Sequence, residues 1–159
     1  MKSDDLNSKG SIYNTALLSN NMKDNIKTEL ENIRLDAINE LDNFIELTRT
    51  VIDSNHYTQL DYANSYIINL YELAPGNALH KATALCEVVT NKDYDPKIQS
   101  ILSDCEHLIA TLTTFYFTSL VSHIEQLQHI LQSNQQITRS ILTSFLSITQ
   151  TLKTQLKQI

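Results

Sequence analysis

The sequence predicts an all-α protein: an up-and-down bundle of about five helices, three of them long, with a flexible N-terminal tail. Apolar residues recur at intervals of three and four positions, the period of a helix with one buried face. The 159 residues include only two Gly and two Pro, too few for the tight turns of an all-β protein. Short connections favour antiparallel neighbours. We expect residues 1–20 to form the tail and residues 21–159 to form one helical domain.

The first predicted helix runs from about Met22 to Asp53. Its apolar positions follow spacings of four and three residues, with Glu40 as the one polar residue in the series. Additional apolar positions beside this series widen it, which indicates a helix packed against two neighbours. The opposite face collects acidic residues, and these contribute much of the formal net charge of −6.

Two shorter helices are predicted after a break at residues 54–57. Thr58 is a candidate N-cap for the first of them, because its hydroxyl can accept a hydrogen bond from a free backbone N–H. Pro75 and Gly76 end that helix, since Pro does not continue a helix and Gly readily adopts the turn that closes one. Asn77 is the expected cap of the next helix.

The second helix carries two tyrosines, Tyr62 and Tyr66, four residues apart. Its apolar stripe includes Leu60, Ile67 and Leu70, and the two tyrosines fall on the opposite side of a helical wheel. Tyrosines on an outer face are either covered by another part of the chain or available to anchor a partner. Both are therefore candidate partner contacts.

The rest of the chain predicts two long helices. Asp95 and Pro96 form the strongest start signal, because Asp is a preferred N-cap and Pro suits the first helical position. The apolar period continues from there to Leu131, where the polar residues 132–136 interrupt it. The last helix uses apolar positions within residues 137–156.

Charge is scarce in this C-terminal part. Between His107 and Leu152 the only charged residues are Glu125 and Arg139. Two interpretations are open: the helices form the covered middle of the bundle, or one face binds a partner or a second copy, where a charge would cost desolvation free energy. The candidate contacts follow the heptad spacing of a coiled coil; they are Phe117, Leu120, Ile124, Leu127, Leu131, Ile141, Phe145, Ile148 and Leu152.

Residues 107–124 contain no Asp, Glu, Lys or Arg, and this length approaches the lower limit of a membrane span. The stretch nevertheless holds four Thr, two Ser and two His. We therefore predict a buried core helix and no membrane span.

Motifs for catalysis, metals and cofactors are not evident in the sequence. The five His include no pair at i, i+4, and Cys86 and Cys105 form no Cys-x-x-Cys motif, so no metal or cofactor is predicted. The two cysteines are expected to pack as small apolar groups, which favours a cytoplasmic location. Export by a non-cleaved N-terminal signal stays open. The acidic pI of about 5.2 disfavours a nucleic-acid partner.

One spacing favours an alternative function. Arg49 is followed after six residues by His56, with Tyr57 directly beyond. This arrangement resembles the motif of the HEPN family of small helical ribonucleases. The resemblance implies metal-independent RNA cleavage, with His56 transferring a proton and Arg49 stabilising the developing phosphate charge.

Taken together, the sequence favours a non-catalytic helical module that binds another protein, as an adaptor, a chaperone-like regulator or a binding effector does. Recognition would use apolar side chains on a charge-poor helix face, with the acidic first helix influencing partner choice. A homodimer formed through the C-terminal helices is a second expectation.

Overall fold

A computed structural model describes the backbone of residues 4–90 and 96–159 and the side chains of residues 23–90 and 98–159. These residues form helices and no strand, which confirms the predicted all-α bundle. The predicted cap Asp95 lies outside the described residues. The α-helices are α1 (Asp4–Ser54), α2 (Leu60–Glu72), α3 (Asn77–Thr90), α4 (Pro96–Thr114), α5 (Leu120–Gln132) and α6 (Arg139–Lys157).

Helix α1 is the centre of the bundle. It packs most extensively against α6 and also contacts α2, α3 and α4. Because α3 packs against α4 and α2 packs against α5, the chain runs out along α2 and α3 and returns beside them through α4 and α5. With α6 as the last element, the bundle has four helical rods in up-and-down order.

The described part of α1 begins further upstream than predicted. Its backbone is helical from Asp4, whereas we predict a loose tail over residues 1–20. Whether these residues contact the bundle depends on side chains that lie outside the described residues. The tail therefore stays a prediction.

The junction between α2 and α3 is held by Glu40, the polar residue in the apolar series of α1. Its carboxylate accepts hydrogen bonds from the Tyr116 hydroxyl (2.8 Å) and from the backbone N–H of Ala78 (3.0 Å). Asn77, the predicted cap, is instead the first helical residue of α3. Gly76 precedes it with φ of 63°, a left-handed conformation that glycine adopts without steric cost. Glu40 therefore stabilises the start of α3 from a neighbouring helix.

Helices α4 and α5 are joined by a π-helical turn over Phe115–Ser119. The N–H of Leu120 donates to the carbonyl of Phe115, five residues back instead of four. Both Phe115 and Tyr116 consequently point into the core, and their rings contact Phe44 edge-on. The turn therefore directs the next residue, Phe117, outward.

The start of α2 differs from the prediction. Residues His56–Thr58 form a 3-10 turn, and the extended residue Gln59 precedes the helix without a side-chain capping bond. The prediction that Thr58 is the cap is therefore wrong. The hydroxyl of Ser54 accepts the N–H of His56 instead (3.1 Å), which directs the chain from α1 into the turn.

The outer faces of α5 and α6 are exposed, so the interpretation that neighbouring helices cover them on most sides is wrong. The hydroxyls of Thr143, Thr151 and Thr154 donate to the carbonyls four residues earlier at 2.8–3.0 Å. Such bonds satisfy the hydroxyl within its own helix. The stability of these helices therefore comes from the buried stripe on one side.

The charge-free residues 107–124 span the end of α4, the π-helical turn and the start of α5. Their apolar side chains on the inner face, such as Leu108, Leu112 and Leu120, are buried in the bundle. Among the helices that the structure describes, none combines the length and the apolar character that a membrane crossing requires.

Candidate functional site

The predicted C-terminal contact residues separate into inner and outer groups. Phe117 and Ile148 are exposed, at 68% and 46%, and Leu131 and Ile141 are half-buried. The others are buried by the protein's own helices, so they form the core and do not meet a partner in this state. These core residues are Leu120, Ile124, Leu127, Phe145 and Leu152.

The outward placement of Tyr66 is wrong. Its side chain is 1% exposed, whereas Leu60, predicted to face inward, is 58% exposed and Tyr71 is 55% exposed. Tyr66 precedes Leu70 by four residues and therefore shares a side of the helix with it. The Tyr66 hydroxyl finds hydrogen-bond partners in the core, on α1 and α5, so α2 buries this side and turns Leu60 and Tyr71 toward solvent. Tyr62 is half-buried against the core, and its ring lies 5.8 Å from that of His56.

The orientation of α2 in the bundle leaves apolar side chains exposed where α2 lies beside α5. We call this surface the α2–α5 groove and define it by Ile68, Tyr71, Phe117, Val121 and Leu131. One hollow of about 210 Å³ lies at the α2–α3 junction, with Tyr71, Phe117 and Val121 among its walls. A second, of about 370 Å³, lies between α2 and α5, with Ile68, Tyr71 and Leu131 among its walls. Tyr71 belongs to both, so the two hollows are adjacent.

The groove is apolar and lacks formal charge. Among the residues that the structure describes, no Asp, Glu, Lys or Arg lines either hollow, and the ionisable side chains there are His80 and the tyrosines Tyr71 and Tyr116. Burial, and secondarily the Glu40 carboxylate, raises the pKa of Tyr116, so its hydroxyl stays neutral. At the rim, the Gln128 amide donates to the Tyr71 hydroxyl at 3.4 Å. A surface of this kind gains free energy by covering apolar area.

Sequence reasoning missed three of the groove residues, Ile68, Tyr71 and Val121. Ile68 and Tyr71 are three residues apart in α2, which places them on one side of a helix. That spacing is a signal, but it does not tell an outer apolar pair from an inner one. Which apolar residues face outward depends on the orientation of α2 in the bundle and on the π-helical turn.

A buried polar chain joins three helices behind the groove. The hydroxyls of Thr48 and Tyr66 lie 2.9 Å apart, and the Tyr66 hydroxyl lies 2.9 Å from Nε2 of His123. The His123 ring stacks on Phe145 with ring centres 4.0 Å apart. Burial lowers the pKa of His123 to about 3, so the ring is neutral near pH 7. Burial likewise raises the pKa of Tyr66.

The residues of the ribonuclease hypothesis lie around the end of α1. Arg49 is exposed and makes no hydrogen bond or ion pair with any described residue. His56 is exposed in the 3-10 turn, with its Nδ1 3.4 Å from the side-chain amide nitrogen of Gln59. Tyr57 is half-buried against the core. The ribonuclease hypothesis stays a prediction, because the positions of these three residues neither support it nor contradict it.

The two cysteines approach each other between α3 and α4. Cys105 is buried and its thiol donates to the carbonyl of Ala82 at 3.4 Å, while Cys86 is half-buried. Burial and then the neighbouring Cys86 raise the pKa of Cys105 to about 12, which keeps this thiol protonated. Within the described residues, no group of three or more His, Cys, Asp or Glu is placed to hold a metal ion.

Comparison with known proteins identifies no relative. No protein-family model matches the sequence, and neither the curated proteins nor the solved structures give a match. The exposure and chemistry of the groove residues are therefore what indicates a function for this chain.

Proposed function

We propose that the protein is a non-catalytic interaction module whose α2–α5 groove binds the apolar face of a helix from another protein. The observation that carries the proposal is the exposure of large apolar side chains side by side: Phe117 at 68%, Ile68 at 56%, Tyr71 at 55% and Val121 at 41%. Isolated exposed apolar residues are ordinary, but a contiguous group marks an interaction surface. An adaptor, a chaperone-like regulator or a binding effector acts in this way.

A helix suits the groove better than an extended strand. The walls are residues of α2, α3 and α5, of the π-helical turn and of the short connection between α2 and α3. A helical backbone presents no free N–H or C=O along its length for a strand to pair with. A helix satisfies its own backbone groups and presents apolar side chains three, four and seven positions apart. Two such side chains could enter the two hollows on either side of Tyr71.

The lack of charge in the groove limits the partner's contacting face. A Lys or Glu placed there would lose water without gaining an opposite charge, which costs free energy. The partner helix should therefore be amphipathic, with charge confined to its outer side. A second copy of this chain is one possible source of such a helix and corresponds to the predicted homodimer.

The test uses amphipathic helical peptides selected by display from a randomised library. We expect selected peptides to bind the wild-type protein, and Phe117→Ser to weaken binding at least about tenfold, which is about 1.4 kcal/mol. Val88→Ser is the matched control, because Val88 is an exposed apolar residue of α3 outside the groove. Peptides that bind the Phe117→Ser variant as well as the wild type would overturn the proposal.

Two further measurements separate the alternatives. Light scattering across a concentration series shows whether the protein dimerises, and a dimer lost in Phe117→Ser but kept in Val88→Ser would identify a second copy as the partner. For the ribonuclease, RNA cleavage that survives a chelator and is lost in His56→Ala would support the HEPN-like function over the binding module.

A further inference from the structure

A second concave site lies on the other side of α5, between α5 and α6. We call it the His123 cleft, a hollow of about 260 Å³. Its polar wall includes Ser119, Ser122 and Ser144, and its apolar wall includes Ile141 and Ile148. Its described lining residues include no Asp, Glu, Lys or Arg. The cleft shares no residue with the α2–α5 groove, so it is a separate site.

The hydrogen-bond partners of the buried chain behind the cleft favour one proton order. Thr48 is 0% exposed, and the Tyr66 oxygen is the one described partner of its hydroxyl. Thr143, Thr149 and Thr151 donate instead to carbonyls of their own helix. Because a buried hydroxyl proton without an acceptor is costly, Thr48 donates to Tyr66. The Tyr66 proton is then directed to Nε2 of His123, at 2.9 Å.

This order places the proton of the neutral His123 ring on Nδ1. A neutral imidazole has one N–H and one acceptor nitrogen, and Nε2 is the acceptor here. Nδ1 forms no hydrogen bond with any described residue. Every described side-chain nitrogen or oxygen that is fully closed off from solvent has a partner. Nδ1 is therefore not fully closed off from solvent, and His123 is one of the residues that line the cleft.

We propose that the His123 cleft binds a small uncharged molecule that carries a carbonyl oxygen on an apolar body. The oxygen accepts the Nδ1–H of His123, and the apolar body covers Ile141 and Ile148. The site holds His123 firmly, because its side chain is 4% exposed and its ring stacks on Phe145. A fixed donor in a hollow that combines apolar side chains with a few polar groups is the usual construction of a small-molecule site.

The chemistry of the walls selects against other ligands. A charged ligand would lose water without meeting an opposite charge among the lining residues. A metal ion requires a nitrogen lone pair, and Nδ1 carries a proton in this arrangement. The serine hydroxyls of the wall can donate or accept, so they add hydrogen bonds to a neutral ligand without fixing its charge.

The first test is the tautomer. Long-range ¹H–¹⁵N NMR of protein labelled on histidine nitrogen should show the proton of His123 on Nδ1 at pH 7. A proton on Nε2 would overturn the proposal, because the cleft would then present an acceptor.

The second test is titration with benzamide, which joins a carbonyl to a ring of suitable size. We expect weak binding, in the range of about 1 mM for a fragment of this size, with the His123 Nδ1 resonance shifting on addition. Benzoate and benzylamine, which have nearly the same shape but carry charge, should bind at least tenfold more weakly. Equal binding of all three would overturn the proposed ligand class.

A substitution pair locates the site without touching the buried chain. Ser144→Leu fills the cleft from its exposed wall and should weaken benzamide binding at least tenfold. Ser147→Leu adds the same side chain to an exposed position of α6 outside the cleft and should leave binding unchanged. Loss of binding in both variants, or in neither, would contradict the assignment. None of these outcomes depends on the α2–α5 groove.

Discussion

Within the described residues, two groups of hydrogen-bonded polar side chains join different helices inside the bundle, and the two are built differently. At the α2–α3 junction the polar group is a carboxylate, Glu40, which accepts from Tyr116 and from the N–H of Ala78. In the core it is a chain of neutral groups, Thr48, Tyr66 and His123. One site carries a formal charge, and the other carries none near pH 7.

The difference follows from access to water. Glu40 is half-buried and borders an open hollow of about 390 Å³ at the junction, so its charge stays partly hydrated. Thr48 and Tyr66 are no more than 1% exposed, and there an ionised group would cost several kcal/mol. This bundle thus places a charged group at its edge and hydrogen-bonded neutral groups in its interior.

The largest expected effect is at the centre of the neutral chain. Tyr66→Phe should lower the free energy of unfolding by about 2–3 kcal/mol, because it leaves Thr48 and His123 without their shared partner in the core. Urea unfolding followed by circular dichroism measures the change. Tyr62→Phe is the matched control, since the Tyr62 hydroxyl makes no hydrogen bond with any described residue, and should change stability by less than about 0.5 kcal/mol. Equal effects of the two substitutions would show that the chain does not stabilise the fold.

The second prediction concerns pH. The pKa of His123 is about 3 in the folded protein, below the ordinary value of 6.5, so between these values the unfolded chain binds a proton that the folded protein does not. Stability should therefore fall as pH drops below about 6.5 and should be unaffected by this group above it. Between pH 7 and pH 5 we expect His123→Gln to remove up to about 2 kcal/mol of the wild-type decrease.

His129→Gln is the matched control for that measurement, because His129 is an exposed histidine of the same helix. Urea unfolding at pH 7, 6 and 5 gives the three profiles. A wild-type profile with the same slope as that of His123→Gln would mean that His123 is not buried as a neutral ring.

The smallest of the three effects is expected at Glu40, because this charged site is partly hydrated. Glu40→Ala should lower the free energy of unfolding by about 1–2 kcal/mol, because the Tyr116 hydroxyl and the Ala78 N–H lose their acceptor. Glu40→Gln should cost less, since its carbonyl still accepts from Ala78 while Tyr116 accepts from the new amide. Glu46→Ala, at an exposed position of α1, should change stability by less than about 0.5 kcal/mol. A Gln variant as unstable as the Ala variant would show that the charge itself is required.

The sequence indicates the Glu40 site only as an irregularity in the apolar pattern of α1. Glu40 interrupts an apolar series, which indicates a polar contact on the buried face of the helix. Its partners, Ala78 and Tyr116, lie 38 and 76 residues away in the chain. A helical period reports which residues share a face, but it contains no information about which distant groups that face meets.

The sequence predicts the candidate groove only in part, because a helical period does not show which face a neighbouring helix covers. Phe117 was among the predicted contacts and is exposed, whereas Leu120 and Ile124 belong to the core. The π-helical turn determines which of these residues is exposed and which are buried. This turn packs both Phe115 and Tyr116 against Phe44. The spacing of apolar residues does not predict this turn, because a π-helical turn adds only one residue to a single turn of an α-helix.

The sequence by itself determined where the chain is helical and the main breaks between its helices. Apolar residues at helical spacing and the scarcity of Gly and Pro are local properties of the chain, and they do not depend on which helices pack together. The tertiary structure decided which arc of α2 and of α5 is covered and which faces solvent. Each of these helices carries apolar residues around more of its circumference than one neighbour can cover, so the packing partners select the buried arc and leave the rest as the groove.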